Sequence, residues 1–382
     1  MDDLHLGYVL AVAEAGVYAP RAVRAWSAAH GSARALVDAL RGWNDRVGTL
    51  DAHAALEPLS VQTRTRIAAI DDGIAGQALA AARASGARIV LDGDDDYPAA
   101  LRQLCDAPLV LYARGDLACL QRRCLAIVGS RAASAYGRGV AASIAADAGA
   151  CSATVISGLA RGIDAAAHRG ALDAGVPTAA VLGSGVCALY PQYHALLADE
   201  IVERGGAVLS EFSPTQSARA FHFPLRNRIV AALADATVVV EAGERSGAWI
   251  TARLADELGR HVFAIPGDVS RPTSRGTNAL IADGVTLVTS AADICALLRW
   301  EPSIRAAANR ADEHASNAGH ADALLAALGQ PQTIDQLAEA CRCGVAEIAA
   351  RLMIFELQGI VQRGPGGAYS LVRAAFTAKR GS

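Results

Sequence analysis

The chain is almost without lysine: Lys379 stands alone, and arginine supplies the rest of its 35 basic residues. That bias belongs to the whole composition, so arginine richness by itself says little about function. The formal net charge of −3 excludes a molecule coated in positive charge. The first 119 residues hold 11 arginines against 15 acidic residues. Any site for a polyanion must therefore be a local focus of charge and not a field spread over the surface. No uncharged apolar run reaches the roughly 18–20 residues that a spanning helix needs. The first residues, MDDLHLGYVL, lack the basic start of a secretory signal. These absences lead us to expect a soluble cytoplasmic protein with no membrane partner. The eight cysteines contain no CxxC pair, and Cys341 and Cys343 are too close together for a zinc knuckle. We expect free thiols, as in a reducing compartment, and no metal site. GxGxxG is also missing, which removes the dinucleotide fingerprint, and no cofactor is expected.

What is present suggests two or three domains in 382 residues, 52% of them apolar. Residues 1–85 have apolar positions at helical spacing, broken by glycine and proline. They predict a small helical domain, of SAM or helix-hairpin-helix type, whose acidic balance favours a scaffold role over phosphate binding. ARIVLDG and APLVLYARG then predict two strands, with the acidic run Asp94–Asp96 in a solvated loop between them. From 123 to 300 the pattern alternates quickly. CLAIVG, ATVISG, PTAAVLG, AVLSEF, ATVVVEA, HVFAIPG and VTLVTS are apolar strands separated by helical stretches. Such alternation predicts an α/β core with a parallel sheet covered on both faces, over residues 86–300. Residues 301–320 are polar and rich in Ala and Asn, and predict a linker. Residues 321–375 predict three helices and a glycine-proline hairpin, the order of a winged helix. Glu347 and Glu356 offset Arg351 on its third helix, which makes that helix a poor reader of duplex DNA.

Parallel sheets bind ligands at the carboxyl ends of their strands, and most of the small-residue turns fall there. Gly129, Ser130 and Arg131 end the first core strand, and Ser157, Gly158, Arg161 and Gly162 end the second. Small residues let a ligand approach the backbone, helix starts attract anions, and an arginine adds a planar charged fork for phosphate. Each turn alone is equally compatible with an ordinary strand–helix corner. Gly183 offers a third such turn. Asp164 and His168 share one helical face and could form an acid–base pair, but a loop cap and a structural hydrogen bond explain them more simply. In residues 210–230, Arg219, Arg226 and Arg228 interleave with Phe221, His222 and Phe223, a mixture suited to unpaired nucleic acid. The phenylalanines could equally anchor the loop to the core, and Asn227 could fix it. Ser246 and Gly247 open another helix and could hold phosphate or merely cap it. Glu241 is the best lone candidate for a catalytic carboxylate, with no second carboxylate, metal set or triad beside it.

Taken in order, IVGSR (127–131), SGLARGIDAAAHRGAL (157–172), LGSGVCALYP (182–191), SEF (210–212), FHFPLRNRIVAALADATVVVEA (221–242), SGAWITARLADELGR (246–260), VFAIPG (262–267) and GTNALIADG (276–284) closely resemble the DprA/Smf family of bacterial DNA-processing proteins. The resemblance is dense over residues 90–290. It implies an extended Rossmann-like core, an N-terminal helical domain and a C-terminal winged-helix domain. It also implies a homodimer that binds single-stranded DNA, protects it, and loads the RecA recombinase during natural transformation. Arg131, Arg161, Arg226 and Arg228 match the family's DNA-pocket residues. In the family the tyrosine-proline motif continues toward an asparagine, whereas here Gln192, Tyr193 and His194 follow Pro191. The resemblance implies a binding protein and no enzyme. The competing reading is a Rossmann-like nucleotide hydrolase built on Glu241, although the PGG-type loop such enzymes carry is incomplete at Pro266-Gly267-Asp268.

Overall fold

A computed structural model describes residues 2–44, 59–244, 246–301, 324–341, 344–357, 360–364 and 367–371. Among the described residues five helices come first: α1 (Asp3–Ala15), α2 (Pro20–His30), α3 (Ala33–Asn44), α4 (Val61–Ala68) and α5 (Asp72–Ala84). Asp2, Ser60 and Asp71 start α1, α4 and α5, each accepting from a backbone N–H three residues on. The helices close around Tyr8, Val12, Trp26, Leu36, Val37 and Ile67. They do not stand apart from the sheet. Leu10 of α1 and Leu79 and Ala82 of α5 share a second core with Val110, Tyr112, Leu197 and Ile201.

Among the described residues the sheet has nine strands: β1 (Arg88–Leu91), β2 (Val110–Gly115), β3 (Cys124–Val128), β4 (Thr154–Ser157), β5 (Thr178–Val181), β6 (Ala207–Ser210), β7 (Ala236–Val239), β8 (His261–Ala264) and β9 (Thr286–Leu287). They lie in the order β1-β2-β6-β5-β4-β3-β7-β8-β9. From β6 to β9 every pairing is parallel. The seven strands expected from the alternation are these seven. The two earlier strands join the same sheet, with β2 antiparallel to β6 and β1 antiparallel to β2.

Helices α6 (Ala135–Asp147), α7 (Ile163–Asp173), α8 (Ala195–Glu203), α9 (His222–Leu233), α10 (Gly247–Glu257) and α11 (Arg275–Ala282) link the strands, and α12 (Ala291–Leu297) follows the last of them. Alternate strand residues point to opposite faces. Leu125, Ile127, Val155 and Val238 meet Ala141, Ile144, Ala167 and Ala171 of α6 and α7. Ala126, Val128 and Ile156 meet Ile229, Val230 and Ala252 of α9 and α10 on the other side. Burial on both faces explains why the strands read as continuous apolar runs. Cys151 and Cys295 form a disulfide, which corrects the expectation of free thiols throughout.

The chain divides into two compact units between Ser303 and Ile304. In the second, α13 (Ile334–Cys341) and α14 (Val345–Leu357) pack with β10 (Val361–Arg363) and β11 (Tyr369–Leu371) around Leu324, Leu337, Ile348, Leu352 and Tyr369. The strands pair antiparallel, with Val361 opposite Leu371. The linker expected at 301–320 falls, apart from Glu301, outside the described residues, as do Pro365 and Gly366 of the hairpin and the side chains of Glu347 and Arg351. No helix among the described residues is long and apolar enough to cross a membrane.

Candidate nucleic-acid interface

Strand order opens the site. The chain leaves β3 for β4 on one side, while its neighbour β7 is followed by β8 on the other. The loops beyond β3 and β7 therefore diverge and leave a crevice at the carboxyl ends of the strands. It has a volume of about 750 Å³ and runs between the 129–132 loop, the 158–160 loop, one face of α9 and the start of α10.

The first two loops are locked together through the backbone. Ser130 N donates to the Glu241 carbonyl at 2.7 Å, and Ile163 N donates to the Ser130 carbonyl at 3.2 Å. Gly162, at φ +80°, lies so close to the Ser130 carbonyl that a Cβ would overlap it. The loop tips bearing Arg131 and Arg161 thus adjoin. Both arginines are exposed, and neither makes an ion pair among the described residues. Arg131 lines the crevice, with its guanidinium 4.5 Å from the centroid of the Phe223 ring. Arg161 stands outside the lining, on the neighbouring tip. Asp164 holds the second loop in shape, accepting from Gly158 N at 3.1 Å and Ala160 N at 3.4 Å. Burial pushes its carboxyl upward against the pull of Arg226.

Helix α9 supplies the floor. Phe223, Arg226, Asn227 and Val230 recur at helical spacing and face the crevice. Arg226 is 4% exposed and its guanidinium donates to the Val181 carbonyl. Its Nε finds no acceptor among the described residues. Burial draws its pKa down to about 10, opposed by Asp164, so the charge persists at neutral pH. Gly158 is glycine because a Cβ there would overlap that guanidinium. Asn227 donates to the Gly247 carbonyl at 3.1 Å and fixes the start of α10, where Ser246 accepts from Trp249 N at 3.3 Å. Ser246, Gly247, Tyr190 and Arg219 complete the polar and aromatic lining. Tyr190 stands 5.7 Å from Phe223, ring to ring.

Arg161 and Gly162 lie outside the crevice lining, and four further expectations change. Arg228 lies on the opposite side of α9, because residues two apart on a helix do not share a face. It is 6% exposed and gives its fork to Glu211, at 2.7 and 2.9 Å, and to Asp106 at 2.8 Å. Burial pulls its pKa down, but the two carboxylates outweigh it and hold the charge. Arg228 is a structural ion-pair residue. Ser157 is fully buried, its hydroxyl donating to the Ile127 carbonyl at 2.7 Å. Gly183 lies beneath the Phe223 ring and does not line the crevice. Phe221 is 48% exposed but lines a different groove, and Phe223 is the phenylalanine in the crevice.

The remaining candidate groups are structural. Glu241 is 3% exposed, accepting from Ser134 N at 2.8 Å and from the Ser134 hydroxyl at 2.5 Å. It holds the N-terminus of α6, where a carboxylate is favoured, and borders a separate depression with Tyr136 and Ser274. Asp164 and His168 make no pair. The Thr178 hydroxyl donates to the Val155 carbonyl, so it accepts from His168 Nδ1 at 2.8 Å. That leaves Nε2 buried without a partner among the described residues, and burial, with His194 and Arg226 nearby, lowers the His168 pKa to about 3.

The arrangement is an arginine-bearing crevice with two aromatic rings and no assembled acid–base set among the described residues. Comparison with known proteins agrees with that chemistry. The family model for DNA recombination-mediator protein A matches residues 88–299, and a DprA winged helix domain matches 306–367. Protein Smf of Escherichia coli is 39% identical over 283 residues, spanning 73% of this chain and 76% of its own. DNA processing protein DprA of Streptococcus pneumoniae is 43% identical over 211 residues, spanning 53% and 71%. The crystal structure of the S. pneumoniae protein superposes with a TM-score of 0.62 at 32% identity, covering 78% of this chain and 98% of that one. DNA processing protein A of Helicobacter pylori, studied for its single-stranded DNA binding mode, gives 0.51 at 27%, covering 56% and 97%. The chain belongs to the DNA recombination-mediator protein A family, known as DprA or Smf.

Proposed function

We propose that this protein binds single-stranded DNA in the crevice above β3 and β7 and passes it to the RecA recombinase, acting as a homodimer during DNA uptake. The observation that carries the reading is the set Arg131, Arg161 and Arg219. All three are exposed and make no ion pair among the described residues, and Phe223 and Tyr190 line the crevice with Arg131 and Arg219. Guanidinium groups bind phosphate whatever the sequence, and rings accept any base face, which suits a protein that must hold arbitrary strands. Gly129, Ser130, Gly158, Ser246 and Gly247 keep the walls narrow so that the backbone of the strand can come close. The strand is held without being cut. Glu241, the lone carboxylate candidate, is already engaged with Ser134.

Fluorescence anisotropy of a labelled oligothymidine across a salt series tests this. Binding should fall as salt rises, with a slope of about −0.7 per phosphate neutralised. Arg131→Ala should weaken it by about 1–3 kcal/mol, the range of one charged contact and one stacked base. Unchanged affinity in both Arg131→Ala and Arg161→Ala would remove the site. A RecA strand-exchange assay with and without the protein tests the hand-over.

A further inference from the structure

The crevice is not the only opening with this chemistry. A groove of about 760 Å³ lies where the first helices meet the 213–221 loop, lined by Glu14, Tyr18, Gln62, Arg66, Arg219 and Phe221 among others. Arg219 belongs to both openings, so they share a wall. Their contents also correspond. In the crevice the Arg131 guanidinium lies over Phe223, and Tyr190 is beside it. In the groove Arg66 lies 6.0 Å from the Tyr18 ring centroid, and Phe221 meets Tyr18 edge-on at 5.3 Å. Phe221 and Phe223 are two residues apart, at the start of α9, and fall to the two sides of one ridge.

The groove wall is held rigid through that ridge. His222 between the phenylalanines is fully buried and stacks on Phe212 at 4.1 Å. Its Nδ1 donates to the Gly183 carbonyl at 3.1 Å, which leaves Nε2 to accept from the Tyr18 hydroxyl, also at 3.1 Å. Gln216 donates to the same hydroxyl at 3.3 Å. Tyr18, on the connection from α1 to α2, is therefore tied to the β5 loop beneath the crevice. A ring fixed before binding loses little freedom when a base stacks on it.

We propose that the groove is a second subsite for the same single strand, which crosses Arg219 and stacks a base against Phe221 and Tyr18. This rests on the crevice reading and extends it to the helical region. Arg66 and Arg219 take the phosphates. The Arg66 guanidinium donates to the Glu14 carbonyl at 3.2 Å, which holds it at the groove, and Gln62 adds a neutral hydrogen-bonding group to the lining.

Length dependence tests the proposal. Anisotropy is measured with oligothymidines of about 6 and about 20 nucleotides, bracketing common single-strand site sizes. Phe221→Ala, Phe221→Leu and Arg66→Ala should each weaken the longer strand on the order of 5- to 20-fold, the lower part of the range for losing one stacked base. They should leave the shorter strand unchanged. Arg131→Ala should weaken both. Phe221→Leu keeps apolar bulk without a flat ring, so its loss separates stacking from folding. Photo-crosslinking of an iodinated pyrimidine strand should mark Phe221 or Tyr18. Equal affinity for both lengths in all groove variants, with Arg131→Ala still weakened, would overturn the groove and keep the crevice. Equal losses at both lengths would overturn a separate subsite. No effect of Arg131→Ala on either length would overturn the crevice reading itself.

Discussion

Arg226 and Arg228 sit on the same helix, two residues apart, and serve opposite ends. Arg226 faces the crevice with its Nε unpartnered among the described residues. Arg228 faces Glu211 and Asp106, and its charge is consumed inside the protein. A helix turns by about 200° over two residues, so one face can be given to a ligand while the other is locked to the fold. The lesson concerns availability. An arginine counts toward phosphate binding only when no carboxylate already claims it, and α9 holds one of each kind.

The strongest way to break this contrast is Arg228→Ala. It strands Glu211 as a buried charge, and should cost about 3–5 kcal/mol in urea unfolding, the usual penalty for breaking a buried pair. The folded fraction should keep its affinity for single-stranded DNA. Arg131→Ala should do the reverse, losing about 1–3 kcal/mol of binding while stability changes by no more than about 0.5 kcal/mol. Identical behaviour of the two variants would erase the distinction between the faces.

Acid sharpens the contrast on the structural side. His168 is held neutral, with its pKa lowered to about 3 by burial, while in the unfolded chain it titrates near 6.5. The unfolded state therefore binds the extra proton between those values. Stability from this group is full above about pH 6.5 and falls as pH drops toward 3, by up to about 1.4 kcal/mol per unit. Urea midpoints from pH 7 to 4 should decline more steeply in the parent than in His168→Gln. The smallest effect is expected from Arg161→Ala, outside the crevice lining. It should lower the magnitude of the salt slope by about 0.7, the contribution of one phosphate contact, with no change in unfolding.

Much of this architecture was legible beforehand. Continuous apolar strands with helices between them predicted β3 to β9, since burial on both faces leaves that mark. The glycine turns with arginine at their tips marked the strand ends where the crevice opens. The helical period also held the answer for Arg226 and Arg228, but the motif placed both in one pocket. The antiparallel addition of β2 to β6 was not readable, because either edge of the sheet would accept a strand. Nor was the role of Glu241, whose partner Ser134 is 107 residues away. Phe221 and Phe223 looked alike in sequence and were separated only by the ridge between two openings.

By itself the sequence determined the elements, their order, and where the strand ends carry charge. Those depend on local spacing, which the chain states directly. Tertiary structure alone decided which charges stay free, since pairing is settled by groups brought together from distant segments. Asp106 and Glu211 neutralise Arg228, while Arg131 makes no ion pair among the described residues.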